Sequence, residues 1–538
     1  MRARRLICAV SVVVVFASVL LLGSRSAPLA TPKQSPPREW PMFGGTLARN
    51  MVNPSARNLP AEWDVEETKK NLKWVADLGS KTYRGPAIAD GRIFLGTNNQ
   101  KPRDPKLVDA KGNPIDHGVM MCFRASDGKF LWQAAHPRLA AGPVNDWPLE
   151  AIASVPTVEG DRLYYVSNRA ELICARTDDG SVVWKLDMIR ELGVYPHNLA
   201  VCSPLIAEDH VFVVTGNGVD EGHLEIPAPQ APSFIAVSKH NGKVAWQSNA
   251  PTASMPPPVP GVGREKAMLD LRNRGELLLH AQWSNPAYAE TDGVRQVVFP
   301  GGDGWLYAFE PRTGKLLWKF DGNPKNSVYS LGGKGTRNEF IGTPAAHDGR
   351  LYIGVGQDPE NQTGVGHLWC IDLAKALSKG RVNKDHDVSP SNDDFDPASP
   401  ANKDSALAWH FGGANTSEVR KKTGHHYRFG RTMSTCAVHD GLVYAADLEG
   451  ILHCLDSRTG TLYWTHATDA TTWSSPYVAD GKIYLGNDEG VFVFAHGNEK
   501  RLLATIEMGE RIRGGIVAVD EVLYIAGEHK LYALSLPR

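Results

Sequence analysis

The sequence predicts an all-β chain folded as an eight-bladed β-propeller with four-stranded blades, closed by an N-terminal strand. Two observations carry this expectation: a spaced motif that keeps returning, and an unpaired strand that completes the last unit. The motif is a small residue, Gly six positions on and Trp ten positions on, as in Ala308-Phe-Glu-Pro-Arg-Thr-Gly314-Lys-Leu-Leu-Trp318. It recurs as Cys122/Gly128/Trp132, Cys174/Gly180/Trp184, Ala236/Gly242/Trp246 and Cys454/Gly460/Trp464. The tryptophans Trp74, Trp132, Trp184, Trp246, Trp318, Trp409 and Trp464 lie 52 to 91 residues apart, the spacing of four-stranded blades with insertions.

In chain order, Met1-Arg-Ala-Arg-Arg5 and the apolar run from Leu6 to Leu22 read as a secretory signal over residues 1–26, with an uncleaved membrane anchor as the competing reading. Residues 27–39, with Thr31-Pro-Lys-Gln-Ser-Pro-Pro37, read as a stiff linker, and residues 40–538 as the propeller. Asn71-Leu-Lys-Trp74 has the pattern of an outer strand but no blade in front of it. Each later unit opens on an alternating run such as Asp348-Gly-Arg-Leu-Tyr-Ile-Gly354 and turns through a hairpin such as Gly302-Asp-Gly304, Leu448-Glu-Gly450 or Asp488-Glu-Gly490. The seventh unit is degenerate, with Phe494, Lys500 and Ala504 at the small, Gly and Trp positions. The eighth runs from Val522 to Leu534 and lacks its Trp strand, so joining it to Asn71–Trp74 closes the ring, where an open one would expose two sheet faces and lose the contacts between its first and last blades.

The small-residue/Gly/Trp spacing resembles the tryptophan-docking motif of the pyrroloquinoline quinone (PQQ) repeat family. That family's propellers include quinoprotein dehydrogenases and outer-membrane-assembly lipoproteins, and the resemblance covers nearly all the chain after residue 40. It implies that the seven tryptophans above pack between blades instead of forming a cofactor cage. Function does not follow from the fold, because the family contains both enzymes and proteins that bind no quinone.

Charge is balanced at −1 with a sequence pI near 7.0, which removes the basic field that nucleic-acid binding requires. The export signal implies a periplasmic or extracytoplasmic protein, tethered to the membrane through residues 6–22 if the signal is retained. Cys122, Cys174, Cys370 and Cys454 share one repeat register on different blades, so they are expected as buried free thiols too far apart to bridge.

In a propeller, the segments leading into the innermost strands gather at one mouth of the central channel. Here they offer Arg84, Glu150, His197, Asn198, Trp283, Arg337, Asn338, Arg428, Arg431, Trp473, Arg511 and Arg513 as candidate ligand contacts, with Tyr83, Trp147 and His280 beside them. Converging guanidiniums and aromatic faces point to an anionic or carbohydrate-like ligand. The insertions at 98–118, 217–232, 250–283 and 357–366 are expected to rim that mouth. Residues 377–404, with Asp393, Asp394 and Asp396, read as a solvated loop on the opposite face, lacking a regular calcium spacing. His425-His426 reads as surface, and no metal site is expected.

Two functions remain. One is a non-catalytic platform for a protein, a peptide, a cell-surface polymer or a small anionic ligand. The alternative is a quinoprotein dehydrogenase that oxidises an alcohol or sugar with PQQ and calcium. The resemblance to larger quinoprotein alcohol dehydrogenases implies an adjacent Cys-Cys pair, which this sequence lacks, and no Cys-x-x-Cys-His haem motif is present.

Overall fold

The computed structural model describes residues 39–139, 147–255, 264–331, 335–357 and 363–537. All belong to one compact unit, Arg38–Arg538. The expected signal or anchor, and the linker up to residue 38, lie outside the described residues. No helix among the described residues is long and apolar enough to cross a membrane.

Eight antiparallel sheets form the eight blades of the propeller. The fourth blade shows the plan, with strands Ala287–Thr291, Val294–Pro300, Trp305–Phe309 and Leu316–Asp321 running from the channel outward. Ala308 lies opposite Trp318, and a bulge follows at once. The same pairing holds for Cys122 with Trp132, Cys174 with Trp184, Ala236 with Trp246, Cys370 with Trp409 and Cys454 with Trp464. The small-residue and Trp positions therefore mark the two outermost strands of the first six blades.

The glycine has a separate task. At Gly128, Gly180, Gly242, Gly314 and Gly460 the backbone is left-handed, and an added Cβ would come within 2.5–2.7 Å of the Trp ring of the preceding blade. That indole also donates Nε1–H to a backbone carbonyl of the next blade, as in Trp74 to Ala125, Trp132 to Thr177, Trp246 to Pro311 and Trp409 to Ser457, at 2.8–3.1 Å. Each of these four indoles thus docks one blade onto its successor.

Ring closure is as expected: Leu72–Asp77 pairs antiparallel with Lys530–Leu534, with Trp74 opposite Ala533. In the seventh blade the pairing differs by one residue from the sequence expectation. Val493, not Phe494, lies opposite Ala504, because the turn before Leu502 is one residue longer than in the sixth blade. The six cysteines among the described residues are buried and unpaired.

The insertion in the fifth blade is a correction. Residues 373–406 do not form a loop confined to the far face. Leu373–Gly380 is a helix that covers Trp318, and Asp387 and Val388 pair with Lys319 of the fourth blade's outer strand. Asp393 then accepts from the backbone N–H groups of Lys325 and Asn326 on the channel-mouth side. Buried Leu373, Ala376, Leu377, Val388 and Ala406 supply the apolar reason for this course.

Residues 40–53, which carry no repeat motif, cross the channel. Trp40 bridges Ile88 of the first blade and Pro41 accepts from Val158 of the second. Leu47 accepts from Tyr288 of the fourth, Ala48 from Ala346 of the fifth and Met51 from Val478 of the seventh. Asn50 exchanges two hydrogen bonds with Val438 of the sixth, and Asn53 donates to Ala518 of the eighth. Arg49, fully buried, donates to the carbonyls of Phe43, Ser203, Pro204 and Pro286 at 2.7–3.0 Å, reaching the third blade. Seven innermost strands are engaged directly and the third blade through the two carbonyls just before its inner strand Leu205–Ala207, so the segment floors the channel.

Candidate functional site

With its floor in place the channel is a blind pit of about 290 Å³. Trp40, Phe43, Gly44 and Met51 come from the floor, and the walls come from the segments leading into the inner strands. Of the residues expected at the mouth, Arg84, Glu150, Asn198, Trp283, Trp473 and Arg513 line this cavity, as do Tyr83 and Trp147. Lys81 and the four floor residues were not foreseen.

The cavity's charges are unequally committed. Glu150, buried, accepts from Lys81 Nζ at one oxygen and from the Tyr83 hydroxyl at the other, both at 2.6 Å. Burial and the Glu150 carboxylate push the Tyr83 pKa far up, so this phenol stays protonated. Arg513 makes two bonds to Asp488, at 2.6 and 2.7 Å, and its guanidinium lies 4.1 Å over the Trp473 ring. Arg84 differs: its guanidinium lies 5.5 Å over the Phe43 ring, and no acceptor among the described residues bonds it. Burial lowers its pKa to about 10, which leaves it charged at neutral pH.

The remaining candidates sit elsewhere, and the expected ring of converging guanidiniums does not form. Arg337 is buried, bonded to Asp321 at 3.0 Å and Ser327 at 3.2 Å, beneath Gly275. Arg431 is buried and donates to the Asn338 side chain and the Gly335 carbonyl, while Asn338 donates to the Val365 carbonyl. These residues pin the loops around the fifth blade. Arg428 is exposed over the Phe411 ring, at 4.6 Å, and Arg511 is exposed.

His197 is drawn into a cluster beside the cavity wall. It approaches His280 with ring centroids 4.4 Å apart and His223 at 4.9 Å, and Trp283 packs against His280 at 5.1 Å. Burial, reinforced by His280, lowers the His197 pKa to about 3. Sequence reasoning placed His197 and His280 at the mouth and missed His223. The missed signal was that the insertion 217–232 belongs to the blade between their two segments.

No curated protein matches the sequence. Among solved structures, BamB from Moraxella catarrhalis is 13% identical, covering 86% of this chain and 98% of its own, at a TM-score of 0.47. A quinohemoprotein alcohol dehydrogenase from Comamonas testosteroni is 12% identical, covering 94% of this chain and 82% of its own, at 0.42. The quinohemoprotein alcohol dehydrogenase ADHIIG from Pseudomonas putida HK5 is also 12% identical, covering 93% and 80%, at 0.46. A family model described as outer membrane protein assembly factor BamB matches residues 116–281 and 401–503, half of the sequence. The chain belongs to this PQQ-like repeat propeller family.

Proposed function

We propose that the protein is an exported, non-catalytic propeller whose blind channel seats an anionic group carried by a partner protein, a peptide, a cell-surface polymer or a small ligand. The observation behind this reading is Arg84, a charged guanidinium facing the cavity with no acceptor among the described residues. A carboxylate brought to it would gain paired, charge-assisted hydrogen bonds where water is partly excluded. Trp147, Trp283 and Trp473 add flat apolar wall for whatever carries that charge. The family's description as an outer-membrane assembly factor agrees with a platform role in the cell envelope.

The quinone reading is less well supported by the residues present. Calcium chelated by a quinone calls for several oxygen ligands, yet among the described residues Glu150 is the one acidic side chain lining the cavity, and both its oxygens are engaged by Lys81 and Tyr83. Among the described residues a single uncommitted cation, Arg84, also faces what would be three carboxylates. The set does not fit calcium-bound PQQ.

The test is a tryptophan-fluorescence titration with benzene-1,3,5-tricarboxylate, and with PQQ with and without calcium, on the wild type and Arg84→Met. Calcium-independent binding of the tricarboxylate, weakened about 10- to 100-fold by the substitution, is expected. Dye-linked oxidation of alcohols or sugars should be absent. Calcium-dependent PQQ binding with turnover would establish the dehydrogenase instead.

A further inference from the structure

The cluster of His197, His223 and His280 is used by neither reading above. Three separate segments bring it together: the lead-in to the third blade, the insertion within that blade, and the lead-in to the fourth. One nitrogen from each ring can be chosen so that all lie within 4.8 Å of one another. A tetrahedral ion with metal–nitrogen bonds of about 2.0–2.1 Å holds its ligands about 3.4 Å apart, so modest side-chain rotation closes the set.

The rings of His197 and His280 have buried partners, and a turn fixes the backbone of His223. His197 Nδ1 lies 3.0 Å from the Val219 carbonyl, and donation to it selects the tautomer whose Nε2 carries a lone pair. His280 Nδ1 lies 3.5 Å from the Glu339 carboxylate, a buried partner of the kind that orients a ligating imidazole. His223 adopts a left-handed backbone, φ 57°, in a turn fastened by Asp220, whose carboxylate accepts from the N–H groups of Leu224 and Glu225. Holding a non-glycine residue there is unfavourable unless its surroundings fix it. Below the turn, Val219 and Ile226 pack with Met268 and Leu271 of helix Arg264–Asn273 and with Leu277 and Leu278. The set is thus built on an ordered base.

We propose that His197, His223 and His280 form a three-histidine site for a late first-row divalent ion of the zinc class. Imidazole nitrogens favour such ions over calcium or magnesium, and three protein ligands leave one coordination position for water or an anionic group. The ion would fasten the insertion 217–232 to the channel rim beside Trp283, so the site stands whether or not the pit binds an anion.

The test uses the full propeller, free of any affinity tag and stripped with a chelator. Zinc titrated by calorimetry should bind at one equivalent per chain, and cobalt should give the visible bands of a tetrahedral nitrogen-ligated ion without thiolate charge transfer. His223→Ala, on a half-exposed turn, should abolish both signals while the metal-free melting temperature holds. Glu339→Gln should weaken zinc about 10- to 100-fold with the cobalt spectrum retained. Absence of stoichiometric binding, or binding that survives His223→Ala, overturns the proposal. So does binding lost on replacing His496, which belongs to a second cluster with His439 and Asp440 on the outer surface.

Discussion

Trp318 shows how a single residue can keep a motif's position and change its partner. Its neighbours in the ladder donate to a carbonyl of the next blade, whereas Trp318 donates to Gln296 Oε1 within its own blade, at 2.7 Å. The reason lies in the following unit, where helix Leu373–Gly380 replaces the glycine turn and buries the indole completely. Trp318→Ala should therefore cost about 3–5 kcal/mol, read from chemical denaturation, and half-buried Trp184→Ala should cost less. Asp303 offers a second test. Burial raises its pKa from 3.8 to about 6, although Tyr307 and the Trp305 N–H hydrogen-bond it. A carboxyl that holds its proton more tightly when folded makes stability fall as pH rises from about 4 to about 6, by roughly 3 kcal/mol for a shift of about two units. Asp303→Asn should flatten that slope in denaturation curves across this window. Thiol titration under denaturing, non-reducing conditions should find all six propeller cysteines reactive, in keeping with the separate blades of Cys122, Cys174, Cys370 and Cys454.

At the scale of elements, legibility followed repetition. Strands, hairpins and the docking glycines were readable because the same spacing recurs and each copy performs the same packing task. The Leu72–Asp77 strand was readable because its Trp74 lacked a blade. The channel floor was not, since residues 40–53 have neither alternation nor motif and gain order by bonding to all eight blades. The candidate site was half legible for a related reason. Repeat register places a segment at the mouth, but whether Arg337 turns to Asp321 or Arg84 faces the cavity depends on side chains that register does not constrain. Arg49→Met tests the floor. It would strand four buried carbonyls and should lower stability by about 3–5 kcal/mol, with weakened tricarboxylate binding measured on the same protein.

For the whole molecule, closure is made twice: at the outer rim by Leu72–Asp77 against Lys530–Leu534, and at the axis by the floor. Deleting residues 71–76 should thus lower the denaturation midpoint as far as Trp318→Ala does, and near-wild-type stability would show that the outer seam is dispensable. The axial seam has a temporal meaning as well. Asn53 bonds Ala518 across 465 residues of sequence, so a hydrogen bond at the heart of the ring waits on nearly the last strand to be synthesised. Closing so large a loop late makes maturation slow and leaves no intermediate with a finished pit. A chain still being synthesised therefore has no finished pit, and a prematurely terminated chain never acquires one: the floor acts as a proofreading step for completion.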